Sequence, residues 1–323
     1  MNLGRLRYAS KYLAIEHFYT ERHWSISWMC RQLGVTRAAY YKWLTREVPE
    51  AEKQNEIIAQ LVQEYDERFN HILGYRRMAE WINRLNSTNY SRNRIHRIMK
   101  ELNIHSVIRR KKKKYTYSTP EIAAENTLNR GFNAERPNQK WVTDVTELKW
   151  YEGPVVHKLY LSAILDLYDR SIVSYVVSTR NDNKLVFDTF EQAILANPDV
   201  HPLFHSDRGF QYTSKVFQFK LSQQAMEQSM SRVGHCIDNC PTEGFWGILK
   251  TEMFYLTKFS NEAELRDAID KYIHFYNYER FQERFKTRTP MEVRTAAMVS
   301  DSPDQFPIAE NKRIRQYKAK YAA

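Results

Sequence analysis

Only three cysteines, Cys30, Cys236 and Cys240, occur in the 323 residues. An odd count without paired spacing excludes a disulfide framework and is what a reducing compartment favours. No run of about 18 apolar residues is present, which excludes a bilayer-spanning helix. The opening MNLGRLRYASKYLAIEHFYTE lacks the charged head, apolar middle and small-residue cleavage site of a secretory signal. The expectation is a cytoplasmic protein with no membrane partner. A Ser/His/Asp array, a Walker phosphate loop and a dinucleotide fingerprint are also missing. What is present is 42% hydrophobic and 14% aromatic residues, enough for folded structure, in a chain long enough for two or three domains.

Charge is distributed unevenly. Residues 1–137 hold 25 Lys and Arg against 14 Asp and Glu, while residues 138–323 hold 24 against 24. The whole net charge of +11 therefore belongs to the N-terminal part. A basic module joined to a neutral one reads as a nucleic-acid-binding region attached to a region that does something else. A merely soluble basic domain is the plainer alternative.

The segment SISWMCRQLGVTRAAYYKWL has the pattern of a helix-turn-helix within residues 1–50. Ile26, Met29, Cys30 and Leu33 share one helical face, Gly34 supplies the turn, and Thr36 caps a second helix through Trp43. Tyr40 and Leu44 would face inward, leaving Arg37, Ala38, Tyr41 and Lys42 outward for phosphates and base edges. A second helical unit spans 51–108, with a charged helix over about 51–68 followed by GYRRMAEWINRLN and TNYSRNRIHRIMKELNI. In the last of these, Ile95, Ile98, Met99 and Leu102 form an apolar stripe behind a Ser91 cap, and Arg92, Arg94, Arg97 and Lys100 fill other positions. Those arginines suit either a solvated face or, the reading preferred here, a second DNA-contacting element. Next, RRKKKKYTYSTPE carries Lys111, Lys112, Lys113 and Lys114 in a run of six cations, which repel and should not pack. Residues 109–137 are expected to be a basic linker, a phosphate-tracking arm, or both.

After Pro137 the pattern becomes strand-like. WVTDVTELKW, VVHKLYLSAILDLYD and SIVSYVVSTR are rich in β-branched and aromatic residues, with Gly153-Pro154 as a turn. A helix over about 183–196, the strand LFHSD, a helix over about 214–224, a strand near 226–230 and a helix starting near Pro241 follow, then a helix near 261–278. Three strands followed by alternating helices and strands imply an α/β layer fold over 138–300, with residues 301–323 as a tail.

Three acids within this region stand out. Asp144 lies in WVTDVTELKW, Asp207 in LFHSDRGFQYTS and Glu243 in GHCIDNCPTEGFWGILKTE, with 35 residues between the last two. On the first strand, Val142, Asp144, Thr146 and Leu148 share a face, and a carboxylate there is unfavourable unless paired or bound to metal. Asp207 ends a strand, where ligand sites of α/β sheets gather, although aspartate also fills turns. Glu243 falls in the first turn of its helix, and Gly247 and Lys250 lie near its meridian, opposite Phe245, Ile248 and Leu249; Glu252 interrupts the apolar side. Convergent carboxylates suit two Mg²⁺ or Mn²⁺ ions per site, roughly 3.5–4 Å apart, acting on phosphorus. Without metal such carboxylates should repel and raise one another's pKa.

The motifs W-x-x-D-x-T, H-S-D-x-G-x-Q-Y and D-N-x-x-x-E-x-x-x-x-x-x-K, in this order and spacing, resemble the D,D(35)E core of the OrfB-type transposases of bacterial insertion-sequence family three, relatives of retroviral integrase. The similarity runs from about Ile26 to Arg294 and includes Gly74-Tyr75-Arg76-Arg77. It implies an RNase H-like catalytic core, a mixed sheet flanked by helices, behind an all-α helix-turn-helix region. It implies metal-dependent cleavage at element ends and 3′-OH transfer into target DNA, with Asp144, Asp207 and Glu243 catalytic. Lys250 matches the family's DNA-contacting cation seven positions past the glutamate. Double-stranded DNA, homo-oligomers on paired ends and an upstream OrfA product are the implied partners. This chain shows no zipper, so the expectation is the catalytic half of such a fusion. Asp238-Asn239 resembles the loop that positions substrate or helix, whereas His235, Ile237 and Cys240 depart from the usual Asn, Tyr and Ala. His235, Cys236 and Cys240 lack a fourth ligand for zinc, so structural thiols are expected. Asp166 and Glu147 are expected near the site in surface or supporting roles, and His205 as a packed histidine. The rival readings are a structure-specific nuclease that cuts without joining, and an inactive DNA-binding regulator.

Overall fold

The computed structural model describes residues 9–47, 49–108, 128, 131–231 and 240–307, arranged in two compact units, Met1–Ile108 and Arg109–Ala323. The basic run with Lys111 to Lys114 lies outside the described residues, as do His235 to Asn239 and the end of the tail.

The first unit holds two groups of three helices. In the first group, α1 (Ala9–Arg22), α2 (Ile26–Gln32) and α3 (Arg37–Leu44) enclose Tyr12, Ile15, Met29, Cys30 and Tyr40. The Thr36 hydroxyl accepts from the Ala39 N–H at 3.2 Å, satisfying an otherwise orphaned donor of α3. Gly34 takes φ +64, a left-handed conformation glycine adopts without a Cβ penalty. Two features differ from expectation. Helix α1 completes the core through Tyr12 and Ile15, and Leu44 is 46% exposed. Leu44 is the last residue of α3 and stays outside that cluster, so its helical position alone did not bring it into the core.

The second group is α4 (Glu50–Arg68), α5 (Tyr75–Leu85) and α6 (Arg92–Glu101). Its buried apolar residues include Ile58, Val62, Trp81, Ile82, Ile95, Ile98 and Met99. Ser91 Oγ caps α6 by accepting from Arg94 N–H at 3.2 Å.

In the second unit, a five-stranded sheet is built from β1 (Lys140–Glu152), β2 (Val155–Asp166), β3 (Ile172–Ser178), β4 (Leu203–Ser206) and β5 (Gln228–Met230). The order is β3-β2-β1-β4-β5; the β1–β2 and β2–β3 pairs are antiparallel and the β1–β4 and β4–β5 pairs parallel. Gly153 at φ +57 opens the two-residue turn between β1 and β2.

Helices cover both faces because side chains alternate along each strand. Trp141, Ile164 and Phe204 pack with Val186 and Phe190 of α7 (Asn183–Ala196) and Phe217 of α9 (Lys215–Gln223). Val142, Leu148 and Leu161 pack instead with Phe245, Trp246 and Leu249 of α10 (Cys240–Leu249) and with Leu265 and Ile269 of α11 (Glu262–His274). Each fully buried Phe or Leu here contributes about 1.5–3 kcal/mol relative to exposure. A short helix, α8 (Phe210–Thr213), follows β4, and α12 (Pro290–Met298) closes the described chain with a Thr289–Glu292 capping box. The result is a mixed α/β fold, as the strand and helix order implied.

Candidate active site

The sheet register brings the first two acids level. Parallel pairing of Val142 with His205 sets the alignment, and Asp144 and Asp207 each lie two residues further on. Asp144 shares the face of Val142 and Leu148, on the side covered by α10 and α11. Asp207 follows the last residue of β4, where its Oδ1 accepts from the Gly209 N–H at 2.9 Å. A Cβ on Gly209 would stand 3.1 Å from that oxygen and 2.9 Å from Gln211 Oε1, so the glycine leaves room for the carboxylate.

Helix α10 supplies the third. Glu243 sits in its first turn with an exposed side chain, and Trp246 follows three residues later on the same face. The Trp246 indole N–H donates to Asp144 Oδ2 at 3.1 Å, which pins α10 over β1. Asp144 Oδ1 accepts from the Val145 N–H at 2.8 Å. Burial, then Asp207, and more weakly Glu243, push the Asp144 carboxyl up to about 7, against the Val145 and Trp246 hydrogen bonds. Asp207 is raised as well, chiefly by burial, while the Gly209 N–H pulls the other way. The expected mutual repulsion is thus present at Asp144. Among the described residues, no three His, Cys, Asp or Glu side chains stand close enough together to hold a metal ion as they are. Asp207 and Glu243 lie near enough to Asp144 to act on its charge, without closing up into a metal cage.

Tyr212, and the Tyr272 and Arg280 partners of Glu252, escaped sequence reasoning. Beneath the aspartates, on the opposite face of β1, Thr143 Oγ1 meets the buried Tyr212 hydroxyl at 3.2 Å. Burial, then Asp207 and Asp144, drive that phenol well above its usual value, so it remains neutral. Glu252, which interrupts the apolar side of its helix, is buried and receives the Arg280 guanidinium at 2.9 and 2.8 Å and the Tyr272 hydroxyl at 3.0 Å. Lys250 opens a π-helical turn, Lys250–Phe254, that continues α10, and a second such turn, Phe275–Glu279, precedes Arg280. Such turns often mark functional sites. His205 is fully buried between Ser229 Oγ at 2.9 Å and Ser231 Oγ at 3.2 Å, a packed histidine.

Asp166 differs from expectation. It is fully buried rather than superficial, and the Arg294 Nη1 donates to both Asp166 and Asp169 at 3.0 Å. Asn138 N–H also donates to Asp166 Oδ2 at 2.6 Å, so this group fastens α12 to the sheet instead of serving the three acids. Glu147 takes the surface role, paired with Lys158 at 2.9 Å.

In the first unit the candidate cations divide. Arg37, Lys42, Arg76 and Arg97 are exposed, Arg76 lying 5.7 Å over the Tyr75 ring. Arg94 donates to Asn55 at 2.8 Å, Gln54 at 3.2 Å and the Ala51 carbonyl at 3.0 Å, joining α6 to α4. Arg77 donates to the Ile72 carbonyl and Arg92 pairs with Glu80, each at 2.9 Å. These three guanidinium groups are engaged within the unit, which leaves them fewer donors for a phosphate.

Models of the integrase core domain match residues 134–236 and 243–298, and a model of an HTH-like domain matches 52–112. The InsK transposase for insertion sequence element IS150 of Escherichia coli (strain K12) is 37% identical over 269 residues, covering 82% of this chain and 92% of its own length. The chain belongs to the IS3-family transposases. The 31 kDa protein of insertion element IS600 from Shigella sonnei is similar at 33% identity, over 82% of this transposase and 97% of its own length. Among solved structures, the catalytic core domain of HTLV-2 integrase in complex with magnesium shares 22% identity, with a TM-score of 0.39, over 49% of this chain and 97% of its own. The HTH-like match falls on α4–α6 of the transposase, so it is the second helical group, rather than the α2–α3 pair, that carries that likeness.

Proposed function

We propose that this transposase cleaves the ends of its insertion element and joins their 3′-OH groups to target DNA, with Asp144, Asp207 and Glu243 as the catalytic carboxylates. The observation that supports the reading is that Asp144 in β1 and Asp207, just past the parallel β4, lie level in register, while α10, which carries Glu243 in its first turn, is bonded to Asp144 through Trp246. A hard divalent cation fits this donor set: all three groups offer oxygen, and positive charge would offset the burial and, after it, the Asp207 charge that raise Asp144. Asp144, Asp207 and Glu243 would hold Mg²⁺ or Mn²⁺, two ions per site in the full reading. Bound there, such ions supply a lowered pKa for the attacking water or 3′-OH and stabilisation of the departing oxygen.

The protein's own part is positional. Val145 and Trp246 each donate to a different Asp144 oxygen, leaving a lone pair on each for another partner. Gly209 orients Asp207 in the same manner. Lys250, seven residues past Glu243, is the cation we assign to the DNA backbone at the site. The exposed Arg37, Lys42, Arg76 and Arg97, with Lys111 to Lys114, would bind double-stranded element DNA, and homo-oligomers would assemble on paired ends. The organisation proposed is a helix-turn-helix over 1–50, a second DNA-binding unit over 51–108, a basic linker over 109–137, the catalytic core over 138–300 and a tail thereafter.

The test is incubation of labelled, pre-cleaved element ends with plasmid, with and without Mg²⁺. Wild type should yield joined product only with the ion, and Asp207→Asn should lower it on the order of 10³-fold or more, equal to about 4 kcal/mol of barrier. Joined product persisting at the wild-type level in the variant would refute the assignment.

A further inference from the structure

Trp246 does something that packing does not explain. Its ring is 6% exposed and lies 5.0 Å from Phe245, which in turn meets Tyr276 at 4.8 Å. Any large apolar ring would fill that space. An indole also has a polar N–H that must find an acceptor when buried, and it can only donate. Here the acceptor is Asp144 Oδ2, 102 residues away in sequence, rather than a backbone carbonyl.

We infer that Trp246 is a positioning residue, a strut that aims the Asp144 carboxylate and sets the spacing between it and Glu243. Two geometric facts support this. With Val145 on Oδ1 and Trp246 on Oδ2, both oxygens are tied, so the carboxylate plane is defined before any ligand arrives. Trp246 is also one turn from Glu243, so the bond that aims one acid fixes how the helix bearing another rests on β1. Being donor-only, the indole cannot itself ligate a cation. It acts through Asp144, as outer partners of metal ligands do. The inference rests on the reading that Asp144 is a metal ligand.

The test uses Mn²⁺ binding to the full chain, followed by electron paramagnetic resonance of the free ion, alongside thermal unfolding without metal. Trp246→Phe keeps a buried ring and removes the N–H. The expected result is a Kd for Mn²⁺ weakened about 10-fold or more, with a metal-free unfolding temperature near that of wild type. If the smaller ring loosens the packing, benzothienylalanine at position 246 keeps the bicyclic shape without the donor and should show the same weakening. Wild-type Mn²⁺ affinity in a folded variant lacking the donor would overturn the inference, as would a loss of thermal stability with affinity unchanged. Asp207→Asn separates the two readings. If it too binds Mn²⁺ as wild type does, the metal assignment itself fails; if it loses binding while the position-246 variants do not, only the strut fails.

Discussion

In the helical unit, the pair between Arg92 and Glu80 has its guanidinium side chain 48% exposed, while in the sheet-containing unit Arg294 and Arg280 are held inside by Asp166, Asp169 and Glu252. The same contrast holds for the candidate functional groups. Arg37, Lys42 and Arg97 lie outward on short helices, whereas Asp144 and Asp207 are half-buried at the sheet. The candidate DNA-contacting cations of the helical unit stand where a polyanion and salt can reach them. The sheet-containing unit keeps charge where water is scarce, so each group needs a named partner.

The sharpest way to break this contrast is to remove one arginine from each unit. Arg294→Met leaves Asp166 and Asp169 buried without their guanidinium and should destabilise the protein by roughly 3–5 kcal/mol in denaturant unfolding. Arg92→Met removes a half-exposed guanidinium from one buried carboxylate, Glu80, where Arg294→Met strands two, and should lower stability by the smaller amount of about 1–3 kcal/mol. Equal losses would mean that the two units do not differ in this way.

Asp144 offers a test through pH. Its carboxyl is raised to about 7 from an ordinary 3.8, first by burial and then by Asp207, so the folded protein holds that proton more tightly than the unfolded chain. The favourable contribution is complete below pH 4 and is lost as pH rises through 7. Asp144→Asn cannot ionise. In metal-free protein at pH 8 the variant should therefore be more stable than wild type by about 2–4 kcal/mol, a gain that vanishes towards pH 4. A gain that grew on acidification would have the wrong sign.

The smallest effects separate the cations of the helical unit from each other. Arg37→Ala and Lys42→Ala should each reduce the slope of log affinity against log salt by about 0.9 for every phosphate contact removed, without altering the unfolding midpoint. Arg94→Ala should do the reverse, lowering stability by about 1–2 kcal/mol through its lost bonds to α4 while the salt slope holds. An unchanged midpoint in Arg94→Ala would return this residue to the DNA-contacting set.

Much of the sheet was legible because its strands are long, β-branched runs bounded by turn residues. Gly153-Pro154 marks the hairpin, and the helix over 183–196 emerges from its own periodicity. The three acids were picked out as candidates by spacing and motif. Other features had no local signal. Helix α1 matters only because Tyr12 and Ile15 meet Met29, Cys30 and Tyr40. Glu252 looks misplaced until Arg280, 28 residues on, enters its pocket. Arg94 reads as a surface cation until Asn55 and Gln54 take its donors. Trp246 could have been flagged as a buried donor one turn past Glu243, but its acceptor could not be named from sequence.

Alternation, capping and turn chemistry act over a few residues, so the chain by itself determined which segments are strands or helices, where the basic charge lies and which acids were candidates. Only the folded molecule decided that β4 lies parallel to β1 in the register that levels Asp207 with Asp144, and that α10 rests on the same face through Trp246. Those outcomes depend on packing between residues scores of positions apart. No short-range preference specifies them, because the energy that selects them exists only once both faces of the sheet are covered.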